Sequence, residues 1–141
     1  MSVAAKACHV LAVAAFAILN GSAVQAQSGI DCSNPVSQME MTYCAEQDWM
    51  EADAALNTVY GIAMAKMRET DGYLPDNLKG AADALRDAQR AWIPYRDKAC
   101  AAYGYLARGG TLEPQLIYSC RADLTRARVG ELEELAGGLG N

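Results

Sequence analysis

The chain has 141 residues, with 12 Lys and Arg against 17 Asp and Glu for a net charge of −5. That length supports one domain with a modest core. An acidic balance with no basic block lacks the footprint of a nucleic-acid binder and favours basic partners.

Residues 1–26 read as an export signal rather than as fold. Lys6 supplies a positive start, residues 10–19 are apolar, and Val24-Gln25-Ala26 places small residues where a signal peptidase cuts. The apolar run is too short to span a bilayer. Cys8 precedes that run, unlike the lipid-bearing cysteine of a lipoprotein. The expected product is therefore residues 27–141, cut near Ala26, soluble in the periplasm or secreted, with no membrane attachment. Loss of His9 leaves it without histidine, and loss of Lys6 leaves 11 basic against 17 acidic residues, a net −6. Cys32, Cys44, Cys100 and Cys120 remain, an even count that in an exported chain predicts two disulfides.

Residues 27–36 form a polar lead. Ser37 with Glu40 makes a capping box, and Trp49, Ala52, Leu56, Val59, Ala63 and Met67 then repeat at three and four, predicting one helix to about residue 69. Residues 71–76, with Gly72 and Pro75, break it. A second helix is expected from near Asp76 to about Ala107, along Leu78, Ala82, Leu85, Gln89, Trp92, Arg96, Ala99 and Tyr103. Pro94 lies inside it and predicts a kink. Gly109-Gly110 ends it, and Thr111 is positioned to cap a third helix carrying Pro114 in its first turn. Leu116, Ile117, Cys120, Leu124, Arg128, Leu132 and Leu135 mark that helix's inner side, and residues 137–141 are expected to fray. The fold class is all-α, an antiparallel helical hairpin plus a third helix stapled by two disulfides, in a single domain with its core at about residues 32–135.

Gln89 and Arg96 are polar where an ordinary seam is apolar, so partners are needed on facing helices. Antiparallel helices can be matched by counting from each turn. This sets Asn57 opposite Gln89 and Asp53 within a turn of Arg96, with Thr125 and Arg128 near Trp92. Asp53, Asn57, Gln89, Arg96, Thr125 and Arg128 are thus expected to converge in one network beside Trp92. The same counting favours Cys100–Cys120, each about ten residues from the second turn, and leaves Cys32–Cys44 to staple the lead onto the first helix.

These residues carry a resemblance. Cys32 with Cys44, the stretch Ala52-Asp53-Ala54-Ala55-Leu56-Asn57-Thr58-Val59-Tyr60, and Gln89-Arg90-Ala91-Trp92-Ile93-Pro94-Tyr95-Arg96-Asp97 before Cys100 are its main pieces. Gly109-Gly110-Thr111, Cys120 and Leu124-Thr125 with Arg128 complete it. Together they resemble the LprI-like family, named for a lysozyme inhibitor, over residues 32 to about 132. The resemblance implies an exported helical domain acting by protein binding, with a lysozyme-type muramidase as partner and the matching residues structural.

Catalytic chemistry finds little support. Asp53 beside Arg96 and Arg128 reads as a buried ion pair fixing register rather than a general acid, and no second carboxylate is expected at its level. Without histidine, serine lacks its usual base and metals their commonest ligand. Met39, Met41, Met50, Met64 and Met67 could hold Cu(I), but Met64 and Met67 follow the inner helix face and read as core. No C-x-x-C spacing suggests redox or zinc chemistry. The expectation is a non-enzyme with no cofactor and no metal. Its candidate partner-binding loops hold Asp71, Tyr73, Leu74 and Asp76 at the first turn and Arg108 and Glu113 at the second. The leading reading is cleft occlusion of a basic muramidase, and the alternative is a non-enzymatic envelope interaction module.

Overall fold

Ser37 starts the first helix. Its hydroxyl accepts the Glu40 N–H at 3.2 Å and the Glu40 carboxylate accepts the Ser37 N–H at 3.0 Å, closing the capping box. The computed structural model describes residues 29–138, so the expected export signal and the last three residues lie outside the described residues. Helix α1 spans Gln38–Tyr73, α2 spans Ala81–Gly104 and α3 spans Glu113–Gly137, with one-turn 3₁₀ segments at Asp76–Leu78 and Tyr105–Ala107. There is no strand among the described residues. The fold is all-α, as expected.

Several boundaries differ from the expected ones, each for a local reason. Helix α1 runs past Glu69 to Tyr73, and Asp71 in its last turn accepts the N–H groups of Gly80, Ala81 and Ala82 at 2.8, 2.9 and 3.0 Å. Those are donors that a new helix leaves unpaired, so α2 begins at Ala81 and not at Asp76. Gly80 makes the entry with φ of 143°, a conformation that disfavours any side chain. Leu78, expected in the seam, sits in the 3₁₀ turn and is 61% exposed. At the other end, Gly104 and not Tyr103 faces α3: a Cβ there would lie 2.6 Å from Ile117 Cγ1. Thr111 does not cap α3. The N-cap position is Leu112, with no side-chain bond, and Glu113 N–H is taken by the Gly110 carbonyl at 3.2 Å.

The packing has a clear hierarchy. Helix α1 packs chiefly on α3, less on α2. The two run parallel, because Gln38 bonds Gln115 at 2.7 Å and Asp48 pairs with Arg126, separations of 77 and 78 residues. Helix α2 runs antiparallel between their levels. Leu56, Ala63, Met64, Leu85 and Leu132 form the buried core, flanked by Val59, Tyr60, Met67, Trp92 and Val129. Each fully buried leucine contributes roughly 2 kcal/mol. This places Met64 and Met67 in the core, whereas Met39 and Met50 are exposed.

Candidate functional site

The polar layer is built around Arg96. Its side chain is 6% exposed, reaching from α2 into the bundle. Nη1 donates to Asp53 Oδ1 at 2.9 Å and Thr125 Oγ1 at 3.4 Å, and Nε donates to Asp97 Oδ1 at 3.0 Å. The guanidinium also lies over two indoles, 5.4 Å from the Trp49 ring centre and 5.2 Å from that of Trp92. A delocalised planar cation suits this setting, since its faces meet π-electrons while its edges keep hydrogen bonds. Trp49 in turn stacks on Tyr118 at 5.8 Å and carries Arg121 at 4.9 Å. Arg121 Nε approaches Asp97 at 3.4 Å without hydrogen-bonding alignment, and Trp49 Nε1 is buried with no partner. The Glu46 carboxylate, within hydrogen-bonding reach of its hydroxyl, pushes the Tyr118 phenol up.

Gln89 and Arg128 belong to a second cluster. Arg128 Nε donates to Gln89 Oε1 at 3.1 Å and Nη1 to Glu131 at 2.6 Å. Asn57, expected opposite Gln89, instead donates to Asp53 Oδ2 at 3.3 Å one turn back on its own helix and is exposed. The expected single network is therefore two hydrogen-bonded groups, Asp53–Asn57–Arg96–Thr125 and Gln89–Arg128, with Trp92 half-buried against the core. A second carboxylate does share the level of Asp53. It is Asp97, which adjoins Arg96 on α2 and accepts from its Nε, so the same guanidinium meets both carboxylates. Trp49, Tyr118 and Arg121 were not singled out as members of this layer. The signal was present: Tyr118, Arg121, Thr125 and Arg128 repeat at three and four along one face of α3.

Disulfides flank this layer. Cys100–Cys120 joins α2 to α3 with Cα atoms 5.4 Å apart, and Cys32–Cys44 joins the lead to α1 at 5.5 Å. Both separations lie in the ordinary range for a disulfide.

At the first turn only part of the expected loop is presented. Tyr73 is 82% exposed, whereas Leu74 is half-buried. Asp71 is spent on the α2 N-terminus, and those three backbone N–H groups hold its carboxyl below the usual range. Asp76 pairs with Lys79 at 2.6 Å. At the second turn Glu113 accepts the Gly109 N–H at 2.8 Å and pairs with Arg108 at 2.5 Å, contacts that hold its carboxyl low and Arg108 high. Arg108 also lies 4.7 Å over the Tyr105 ring. Among the described residues no group of three or more His, Cys, Asp or Glu is arranged to hold a metal ion.

Residues 32–132 match the family described as lysozyme inhibitor LprI. The chain belongs to that family. Both disulfides and every residue of the polar layer fall within the matched span of the LprI family. An uncharacterized protein of Rhizobium meliloti (strain 1021) is 50% identical over 108 residues, covering 74% of this chain and 78% of that protein. No solved structure matches the chain. At family level LprI membership implies a lysozyme-inhibiting role and not a catalytic one. No described helix is long and apolar enough to cross a membrane.

Proposed function

We propose that this LprI-family protein, exported to the periplasm or beyond, inhibits a basic lysozyme-type muramidase by binding it and occluding its substrate cleft. The reading rests on family membership, and the α1–α2 tip is the surface that suits it. Tyr73, 82% exposed, stands at the end of the 36-residue helix α1 on a turn whose backbone is tied down by Asp71. A rigid aromatic anchor loses little entropy on docking, which is how a few residues come to dominate an interface. Asp76 is exposed beside it and Leu74 forms the base. Because Lys66 neutralises Glu69 and Lys79 neutralises Asp76, attraction to a basic enzyme comes from the overall net charge of the exported chain, 11 − 17 = −6, and not from the tip. The second turn is closed by its own Arg108–Glu113 pair, leaving Tyr105, Leu106 and Leu112 as its exposed apolar groups. The protein acts as a binder and turns nothing over.

The test is a cell-wall lysis assay with purified residues 27–141 against several lysozyme types. Slowed lysis that saturates with inhibitor is the expected result, and no slowing at about micromolar excess sinks the reading.

A further inference from the structure

We propose that the cleft between α1 and α2 beside Gln89 is a binding site for an acidic saccharide unit, a polyhydroxylated ring bearing a carboxylate. The cleft has a volume of about 460 Å³, within the size range of small-ligand sites. Gln89 is only 8% exposed, and its amide orientation is fixed. Its Oε1 accepts from Arg128, a residue that can only donate, so the amide cannot be flipped. Among the described residues the Gln89 Nε2 hydrogens have no acceptor and are not sealed off from solvent, and Gln89 lines the cleft.

Around this buried donor the walls alternate in character. Asn57 donates to Asp53, which leaves its carbonyl oxygen free to accept, and the Tyr60 hydroxyl can do either. Ring hydroxyls, each both donor and acceptor, match such a mixed wall. Ile93 and the Tyr60 ring supply apolar surface for the face of a sugar ring. At the α2 rim stand Arg86 and Arg90. Among the described residues Arg90 pairs only with Asp87, at 3.8 Å across an exposed surface, so its guanidinium can take a carboxylate two-pronged. Arg86 is engaged by Asp83 at 2.8 Å and Asp87 at 3.9 Å, and Asp53 lines the cleft paired with Arg96, so Arg90 is the rim's least committed cation. The site lies on the helix flank away from the α1–α2 tip and stands whether or not lysozyme is inhibited.

The experiment is a ¹H–¹⁵N titration of residues 27–141 with glucuronate, following the Gln89 side-chain amide, with glucose and acetate as parallel probes. The expected result is a saturable shift of the Gln89 amide by glucuronate at about millimolar concentration. Glucose should bind about tenfold more weakly, as should glucuronate to Arg90→Gln, because each removes one charge-assisted contact. Asn57→Ala, at an exposed position, should also weaken binding while the spectrum stays dispersed. No saturable shift overturns the proposal. So does an equal response to acetate, which would mark a simple anion site, or glucuronate binding unchanged in Arg90→Gln.

Discussion

A guanidinium held between two indoles and two carboxylates is difficult to replace, because each neighbour was folded around its shape and charge. Removing Arg96 would leave Asp53 without its cation and Asp97 with Arg121 alone, and open a gap between Trp49 and Trp92. Arg96→Ala should therefore destabilise the fold by about 3 kcal/mol, the partial exposure of both carboxylates keeping it at the low end for a broken buried pair. Arg96→Lys should recover little of this, since an ammonium offers neither the plane nor the fork. Urea unfolding of both variants measures it, and a lysine variant as stable as wild type would contradict the stacked arrangement. Asp71 makes a second residue-scale case. Its folded pKa is depressed, chiefly by the N–H of Gly80, then those of Ala82 and Ala81, as that of Glu40 is by Val36 and Ser37. A depressed carboxyl contributes stability that is present above its unfolded value, about 4, and is lost as pH falls through the lower folded value. Thermal midpoints should therefore drop as the solution is acidified below about pH 4. Asp71→Asn should be less stable at pH 7 and show a shallower acid decline. Parallel acid profiles for the two proteins would show that Asp71 does not cap α2.

At the scale of elements, what could be read in advance was what is local. The start of α1 is written in Ser37 and Glu40, two residues three positions apart that bond one another, and the capping box forms as expected. Its end is not, because Asp71 acts on residues nine to eleven positions ahead, across a turn whose geometry no propensity encodes. Counting levels brought Arg96 to Asp53 and Cys100 to Cys120, since antiparallel register follows from turn position. It misplaced Asn57, whose short side chain finds Asp53 on its own helix before it can reach across. The dominance of the parallel α1–α3 contact also escaped, because helical periodicity reports which face is buried and not what covers it. Gly104 marks where α2 and α3 come closest. Gly104→Ala brings a methyl against Ile117 and should cost about 1–2 kcal/mol despite alanine's better helix propensity. Adding Ile117→Val should recover part of that loss in chemical denaturation. A Gly104→Ala protein more stable than wild type would mean that the helices part without strain at this point.

Taken whole, the molecule is a braced rod. Helix α1 forms its length, α3 lies parallel along the first part of it, α2 returns antiparallel, and disulfides secure the end away from the first turn. The buried polar chemistry of Arg96 and Gln89 is engaged in holding helices together. The surface proposed to meet lysozyme is the exposed tip, where Tyr73 is carried on a tied turn. The decisive comparison is a lysozyme-inhibition titration of wild type against Tyr73→Ala, with circular dichroism and thermal midpoints showing both folded alike. If the tip enters the enzyme's cleft, wild type inhibits and the variant needs about tenfold or more protein for the same effect, as expected for loss of an aromatic anchor. Equal inhibition by the two proteins would contradict tip insertion, and absence of inhibition by wild type would contradict the proposed function itself.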